Sequence, residues 1–187
     1  MRRTMLSGIA MAGLLAAGAL GLSRPALAQV PPKAISQQEQ LALLASPDPK
    51  LARNKKHVFD FWRIVYEAGH VDEASKYMAP EYIQHNPNLP SGRQTFVDFF
   101  KKQRPPKPVA AYMKMPVFAI VAEGDYVSVF SARKVRDRQK PDHIYFITWF
   151  DMFRLDKNGL IAEHWDPSET WVDGRPPGQE FFAEWDK

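Results

Sequence analysis

The chain has 187 residues, with 25 Lys and Arg, 21 Asp and Glu, and no Cys. That length suits one domain, and the lack of Cys excludes disulfides, thiolate metal centres, iron–sulfur clusters, a Cys nucleophile and an N-terminal lipoprotein anchor. The isoelectric point near 9.3 suggests a nucleic-acid binder, but the basic surplus sits at the N-terminus. Residues 1–28 hold Arg2, Arg3 and Arg24 and no acid; without them 22 basic groups face 21 acidic ones. A chain so balanced has no global field for a polyanion.

Residues 1–28 read as a cleavable export signal. Arg2 and Arg3 form a charged start, residues 5–22 are an apolar run rich in Ala, Gly and Leu, and Ala26-Leu27-Ala28 is a small-x-small cleavage site. The run is at the short limit for a membrane span, so the expectation is removal before Gln29 and a periplasmic or secreted protein with no membrane contact afterwards. The paired arginines with Leu6 behind them also fit twin-arginine export. The general pathway and the twin-arginine pathway both stay open.

All 23 aromatic residues fall between Phe59 and Trp185. Residues 29–49, with four prolines and no aromatic, are expected to be a linker containing one short helix at 37–45, and the folded domain to run over 50–175 with a C-terminal tail at 176–187. A helix is predicted over 51–68, where Leu51, Val58, Phe61, Trp62 and Val65 make one apolar stripe. Gly69 is placed where a helix ends. Asp72 is expected to cap a short helix at 73–78. The segment Tyr82-Ile83-Gln84-His85-Asn86-Pro87, flanked by Pro80 and Pro90, reads as a rigid loop. Ser91 is the expected cap of a third helix that presents Phe96, Phe99 and Phe100 and stops at Gln103 before Arg104-Pro105-Pro106.

Beyond that point the period becomes strand-like. Strands are expected at 117–122, 126–136, 144–154 and 160–166, with Glu123-Gly124-Asp125 and Asp156-Lys157-Asn158-Gly159 as tight turns and 137–142 as a longer loop. Helices followed by antiparallel strands make an α+β pattern. The tail, with Trp171, Phe181, Phe182 and Trp185, is too aromatic for pure disorder and is expected to pack back on the domain or on a second copy.

The strand at 144–154 is apolar on both faces, so both are expected to be covered. Asp151 sits in the middle of one face and must be paired, hydrogen-bonded or protonated. Arg133 or Arg154 would serve as a partner; a place in a ligand pocket is the other reading. On the next strand His164 and Asp166 share a face by alternation. A His beside an Asp suits general acid/base chemistry, and a polar pair ending a strand is the plainer alternative. His85 and Asn86 add a titratable ring and an amide, although a loop His is commonly just solvated. The basic runs Lys101-Lys102-Gln103-Arg104 and Arg133-Lys134-Val135-Arg136 read as solvated surface. Glycine-rich phosphate loops, His-Glu-x-x-His and serine-hydrolase elbows are absent. A cation on His85, His164 and a carboxylate is conceivable, but no ligand pair has diagnostic spacing.

These residues resemble a known family. Asn54-Lys55 through Phe61, the Tyr82-to-Pro87 segment, Gly92, Gly124-Asp125-Tyr126-Val127, Phe150-Asp151-Met152-Phe153-Arg154-Leu155 and Gly159-Leu160-Ile161-Ala162-Glu163-His164-Trp165-Asp166 are similar to SnoaL-like proteins of the nuclear-transport-factor-2-like superfamily, in the branch described as predicted aldol-condensation-catalysing enzymes. The resemblance spans about residues 50–170. It implies a cone-shaped α+β fold in which a curved antiparallel sheet wraps about three helices and leaves a deep apolar pocket. It also implies an acid/base Asp that needs no metal or organic cofactor, and a homodimer formed through the outer sheet face. On this sequence the catalytic candidates are Asp166, His164 and His85. Substrate-binding candidates are Asn86, Tyr82, Asp151, Trp149, Trp62 and Phe61, with Asp151 competing with Asp166 for the role of pocket carboxylate.

Two functions remain open at this level. One is an exported enzyme of cyclase, aldol-condensation or isomerase type acting on a small apolar carbonyl compound. The other is a non-catalytic module that uses the same cone to hold a ligand or a partner, since a fold alone does not decide between them.

Overall fold

The first element, α1 (Gln37–Ala42), opens with a reciprocal cap. Ser36 Oγ accepts from Glu39 N at 3.2 Å and the Glu39 carboxylate accepts from Ser36 N at 2.6 Å. Gln40 then turns inward and is only 3% exposed. Its amide donates to Met113 O at 3.0 Å and accepts from Met113 N at 2.9 Å, so a buried polar group is satisfied on both sides. Ile35, Leu43 and Leu44 pack on the core, and Lys55 Nζ donates to the carbonyls of Leu43 and Ala45. Residues 35–49 are therefore part of the domain and not the expected linker. The computed structural model describes residues 35–136 and 142–167. The expected leader at 1–28, all but Asp142 of the loop at 137–142, and the tail beyond Pro167 lie outside the described residues.

Asp48 caps α2 (Pro49–Asp60), its carboxylate accepting from Lys50 N at 2.7 Å, with Pro49 in the first turn where its missing N–H costs nothing. The helix continues through a widened π turn, Phe61–Glu67. Ala68 N donates five residues back to Arg63 O at 3.2 Å, the signature of an extra residue accommodated in a helix. Gly69 ends it at φ 73°, and a Cβ there would meet Arg104 O at 2.8 Å, so only glycine fits. A short 3₁₀ turn, Val71–Lys76, replaces the expected helix at 73–78 because the chain is already extended at Met78. The next helix is α3 (Arg93–Gln103). Its cap position is Gly92 at φ 103°, and Ser91, the expected cap, instead accepts from Gln84 N at 3.0 Å.

The sheet has five strands: β1 (Met78–Gln84), β2 (Val117–Glu123), β3 (Tyr126–Arg136), β4 (Ile144–Leu155) and β5 (Ile161–Trp165), in the order β1-β5-β4-β3-β2. Its centre, β3 to β5, is antiparallel, and the turns at Gly124 (φ 57°) and Gly159 (φ 78°) fall where expected. The strand missing from the sequence reading is β1, which pairs parallel with β5 at one edge. Register shifts in β1, β2 and between β4 and β5 mark bulges, which bend strands and curve the sheet round the helices. The result is the α+β cone, with Val58, Val65, Met78, Val127, Val129, Phe153, Leu155 and Ile161 at its dry centre.

The inner side of β4, with Trp149, Asp151, Phe153 and Leu155, is buried. Among the described residues the outer side is not covered: Phe150 on β4 is 40% exposed and Phe118 on β2 44%. Of the expectation that both faces are covered, the described residues bear out the inner face.

Candidate active site

Between the concave sheet face and helices α2 and α3 lies a cavity of about 150 Å³. Its apolar wall comes from the π turn (Phe61, Trp62, Tyr66), from α3 (Phe96, Phe99, Phe100) and from Trp149 and Phe153 on β4. Both Phe61 and Trp62 meet Phe153 edge-on at about 6 Å, and Tyr66 meets Phe100 at 5.4 Å, so the wall is a locked set of rings.

The polar wall is made by three neighbouring strands. Register places Phe153 beside His164 and Gln84 beside His164 on the other side. His164 therefore points inward from β5, stacked on Phe153 at 4.6 Å. Its Nδ1 lies 2.9 Å from Gln84 Oε1 and its Nε2 lies 3.2 Å from Asp151 Oδ1. Gln84 Oε1 also accepts from the Tyr82 hydroxyl. With Gln84 Oε1 an acceptor, Nδ1 carries a hydrogen. The Asp151–His164 contact then holds one proton between them, either on Nε2 of an imidazolium or on the Asp151 carboxyl. Asp151 is 3% exposed, and among the described residues its Oδ2 is buried with no hydrogen-bond partner.

Asp166 follows β5 and is half-buried. Its Oδ1 accepts from Asn86 Nδ2 at 2.8 Å. Burial raises its pKa above the ordinary carboxylate value. Asp151 raises it further, while the His164 charge and the Asn86 hydrogen bond act in the opposite direction. Burial, helped by Asp166 and Asp151, also pushes the Tyr82 phenol well up, so it stays a donor at any physiological pH. Asp151, His164 and Asp166 each bring a ligand-type atom within 4.8 Å of the other two. A cation could be held at that spacing, but both nitrogens of His164 already face Gln84 and Asp151, so binding it would cost one of those hydrogen bonds. The arrangement is better suited to moving a proton.

A family model described as a SnoaL-like domain matches residues 58–164. The chain belongs to the SnoaL-like family. The SnoaL-like domain takes in the π turn, α3 and the sheet to His164, so it contains most of the cavity lining, with Asp166 and Pro167 following just beyond it. No curated protein matches this chain. Among solved structures, a provisionally assigned polyketide cyclase from Acidithiobacillus ferrooxidans is 18% identical, covers 66% of this chain and 90% of its own, and gives a TM-score of 0.45. TsrD from Streptomyces laurentii has the same identity and coverage at 0.41. IdmH from Streptomyces antibioticus, also a provisional polyketide cyclase, is 18% identical over 62% of this chain and 91% of its own, at 0.41.

Within this SnoaL-like cavity the structure gathers eight of the nine residues expected from the sequence: Asp166, His164, Asn86, Tyr82, Asp151, Trp149, Trp62 and Phe61. His85 is not among them. Its backbone N donates to His164 O at 3.0 Å, which continues the pairing of β1 with β5 and turns its ring to the outer face. There its Nε2 meets Glu163 Oε2 at 2.8 Å and its ring stacks on Trp165 at 4.3 Å. Neither arginine proposed as a partner for Asp151 plays that part. Arg154 binds Glu163 on the outer face, and Arg133 lies over the Trp149 ring.

Gln84, Arg104 and Arg133 are among the cavity residues that the sequence reading does not anticipate. Gln84 was passed over because 82–87 was read as a loop. Period-two alternation through Tyr82, Gln84 and Asn86 was the available signal. Arg104 and Arg133 were assigned to solvated surface, yet both line the cavity. Alternation along Val127, Val129, Ser131 and Arg133 would have placed Arg133 inside.

Proposed function

We propose that this protein is an exported, cofactor-independent acid/base enzyme of cyclase, aldol-condensation or isomerase type, acting on a small carbonyl compound. The observation that carries the reading is the pairing of an accessible, desolvated Asp166 with a buried Asp151–His164 pair in one aromatic cavity. Burial makes Asp166 a stronger base than a solvated carboxylate, matched to a proton made acidic by an adjacent carbonyl. In the proposed step the Asp166 carboxylate takes that proton and becomes a carboxyl. The electron pair of the broken C–H bond moves to the carbonyl oxygen as an enolate, which attacks a second carbonyl carbon or is reprotonated elsewhere. His164, held in place by Asp151 and Gln84, lines the cavity beside the oxygen where negative charge develops. Asn86 keeps the Asp166 carboxylate in place, and the ring-lined wall folds and orients the carbon chain.

The test is hydrogen–deuterium exchange of 1,3-dicarbonyl compounds in deuterated buffer, followed by proton NMR. Exchange above the buffer rate that vanishes in Asp166→Asn is the expected result. Compounds that bind without exchanging would favour the non-catalytic module.

The reading of the leader supports export, and periplasmic protein is expected to begin at Gln29 by N-terminal sequencing. Arg2→Lys with Arg3→Lys should block export if the route is twin-arginine. The uncovered outer side of β4 is the face offered to a second copy, checked by the mass of the native particle.

A further inference from the structure

The acid/base chemistry leaves one cavity cation without a task. Arg133 comes from the inner face of β3, beyond Val127, Val129 and Ser131. Its guanidinium lies 3.3 Å from the centroid of the Trp149 ring. Among the described residues it has no carboxylate or carbonyl partner for its five N–H groups, whereas the other cavity guanidinium, Arg104, donates to Tyr66 O at 2.8 Å. Stacking fixes the plane of a guanidinium and leaves its donors pointing outward in that plane, the geometry that grips a carboxylate through two parallel hydrogen bonds.

We infer that Arg133 is the anion anchor of this cavity and that the substrate is a small carbonyl compound bearing a carboxylate. The inference rests on the acid/base reading of Asp166 and specifies what that base acts on. Charge balance selects the anion. Asp151 and Asp166 share the cavity with Arg133 and Arg104; Arg104 is engaged with Tyr66 O, so Arg133 is left to match a single carboxylate, while a phosphoryl dianion would bring a second negative charge up to the two carboxyls. Size selects the rest of the molecule. A cavity near 150 Å³ is of the order that holds one benzene-sized ring, so a single ring or a short branched chain fits within it. The Arg133 charge is felt at Asp166, so the anchored group and the base act on neighbouring parts of one ligand.

The test compares phenylacetate with phenylacetamide, alike in shape and different in charge, by quenching of tryptophan fluorescence on the full chain. Phenylacetate is expected to bind about tenfold or more tightly than the amide, the range of a charge-assisted pair. Arg133→Gln should remove that preference while leaving amide affinity unchanged, and Arg133→Lys should restore part of it. Equal affinity for acid and amide in the unaltered chain, no binding of phenylacetate, or a preference that survives Arg133→Gln would each overturn the anchor. The unaltered-chain comparison stands even if a variant fails to fold. Asp166→Asn should keep the acid preference, so loss of exchange with preference intact concerns the base and not the anchor.

Discussion

Two acid–histidine groups lie back to back across one sheet. On the inner face His164 sits with Asp151 and Asp166. On the outer face His85, joined to His164 by a backbone hydrogen bond, sits with Glu163 and Arg154. The residue types are nearly the same and the fields are opposite. Outside, hydrogen bonds from His85 and Arg154 hold the Glu163 carboxyl below its ordinary value. Inside, burial lifts Asp166 above its own. Direction of approach, set by one step of strand alternation, separates a solvated ion cluster from a group able to take a proton.

The largest expected effect comes from the inner group. Asp166→Asn should lower exchange by about 10² to 10⁴-fold, the usual contribution of a general base. Its stability effect has the opposite sign from a structural loss. A carboxyl raised by folding stabilises below its unfolded pKa, and that contribution is lost as pH rises through the folded value. The Asp166→Asn chain should therefore melt no lower than the parent at pH 7 by calorimetry, and wholesale unfolding would make Asp166 structural. Next, Asp151→Asn removes the negative partner of His164 and should cost about tenfold to a hundredfold in exchange rate; an unchanged rate would take the pair out of the mechanism.

The outer group should give the smallest effects. His85→Ala is expected to leave exchange within about twofold and to cost less than about 1 kcal/mol in urea unfolding, the range of exposed ion pairs. A large loss of activity would return His85 to the site. Glu163→Gln should act at neutral pH and not in acid. A carboxyl lowered by folding stabilises above its unfolded pKa and loses that contribution as pH falls through the folded value. The variant should therefore be slightly less stable than the parent at neutral pH, and the two should converge as pH falls below the ordinary carboxylate range.

The sequence disclosed the inner group because alternation is unbroken along β4 and along the chain from Glu163 to Asp166, and a four-residue turn joins the two strands, which puts Asp151, His164 and Asp166 on one side. It misplaced His85 because Pro80, Pro87 and Pro90 argue for a loop. The segment is an edge strand, where proline is tolerated, and its parallel partner comes 80 residues later in the chain, from Gln84 to His164. No local pattern reports such a pairing. Gln40 was hidden for a different reason. A polar residue in a proline-rich, aromatic-free stretch looks like a linker until the Met113 backbone that satisfies it is known. The bulge between β4 and β5 also puts Ile161 in the core beside Leu155, whereas strict alternation would have grouped it with the outward Glu163.

The π turn carries a further consequence. A widened turn holds one more residue than a regular helix of equal rise, and it does so without rotating the segments on either side. Here the surplus lies within Phe61–Glu67, the stretch that gives the cavity three of its rings. The binding wall and the scaffold are thus separable by length: removing a single residue from this stretch would let the helix close up between the same two ends, keep the domain folded by circular dichroism, and thin the aromatic lining enough for a ligand titration to register weaker binding.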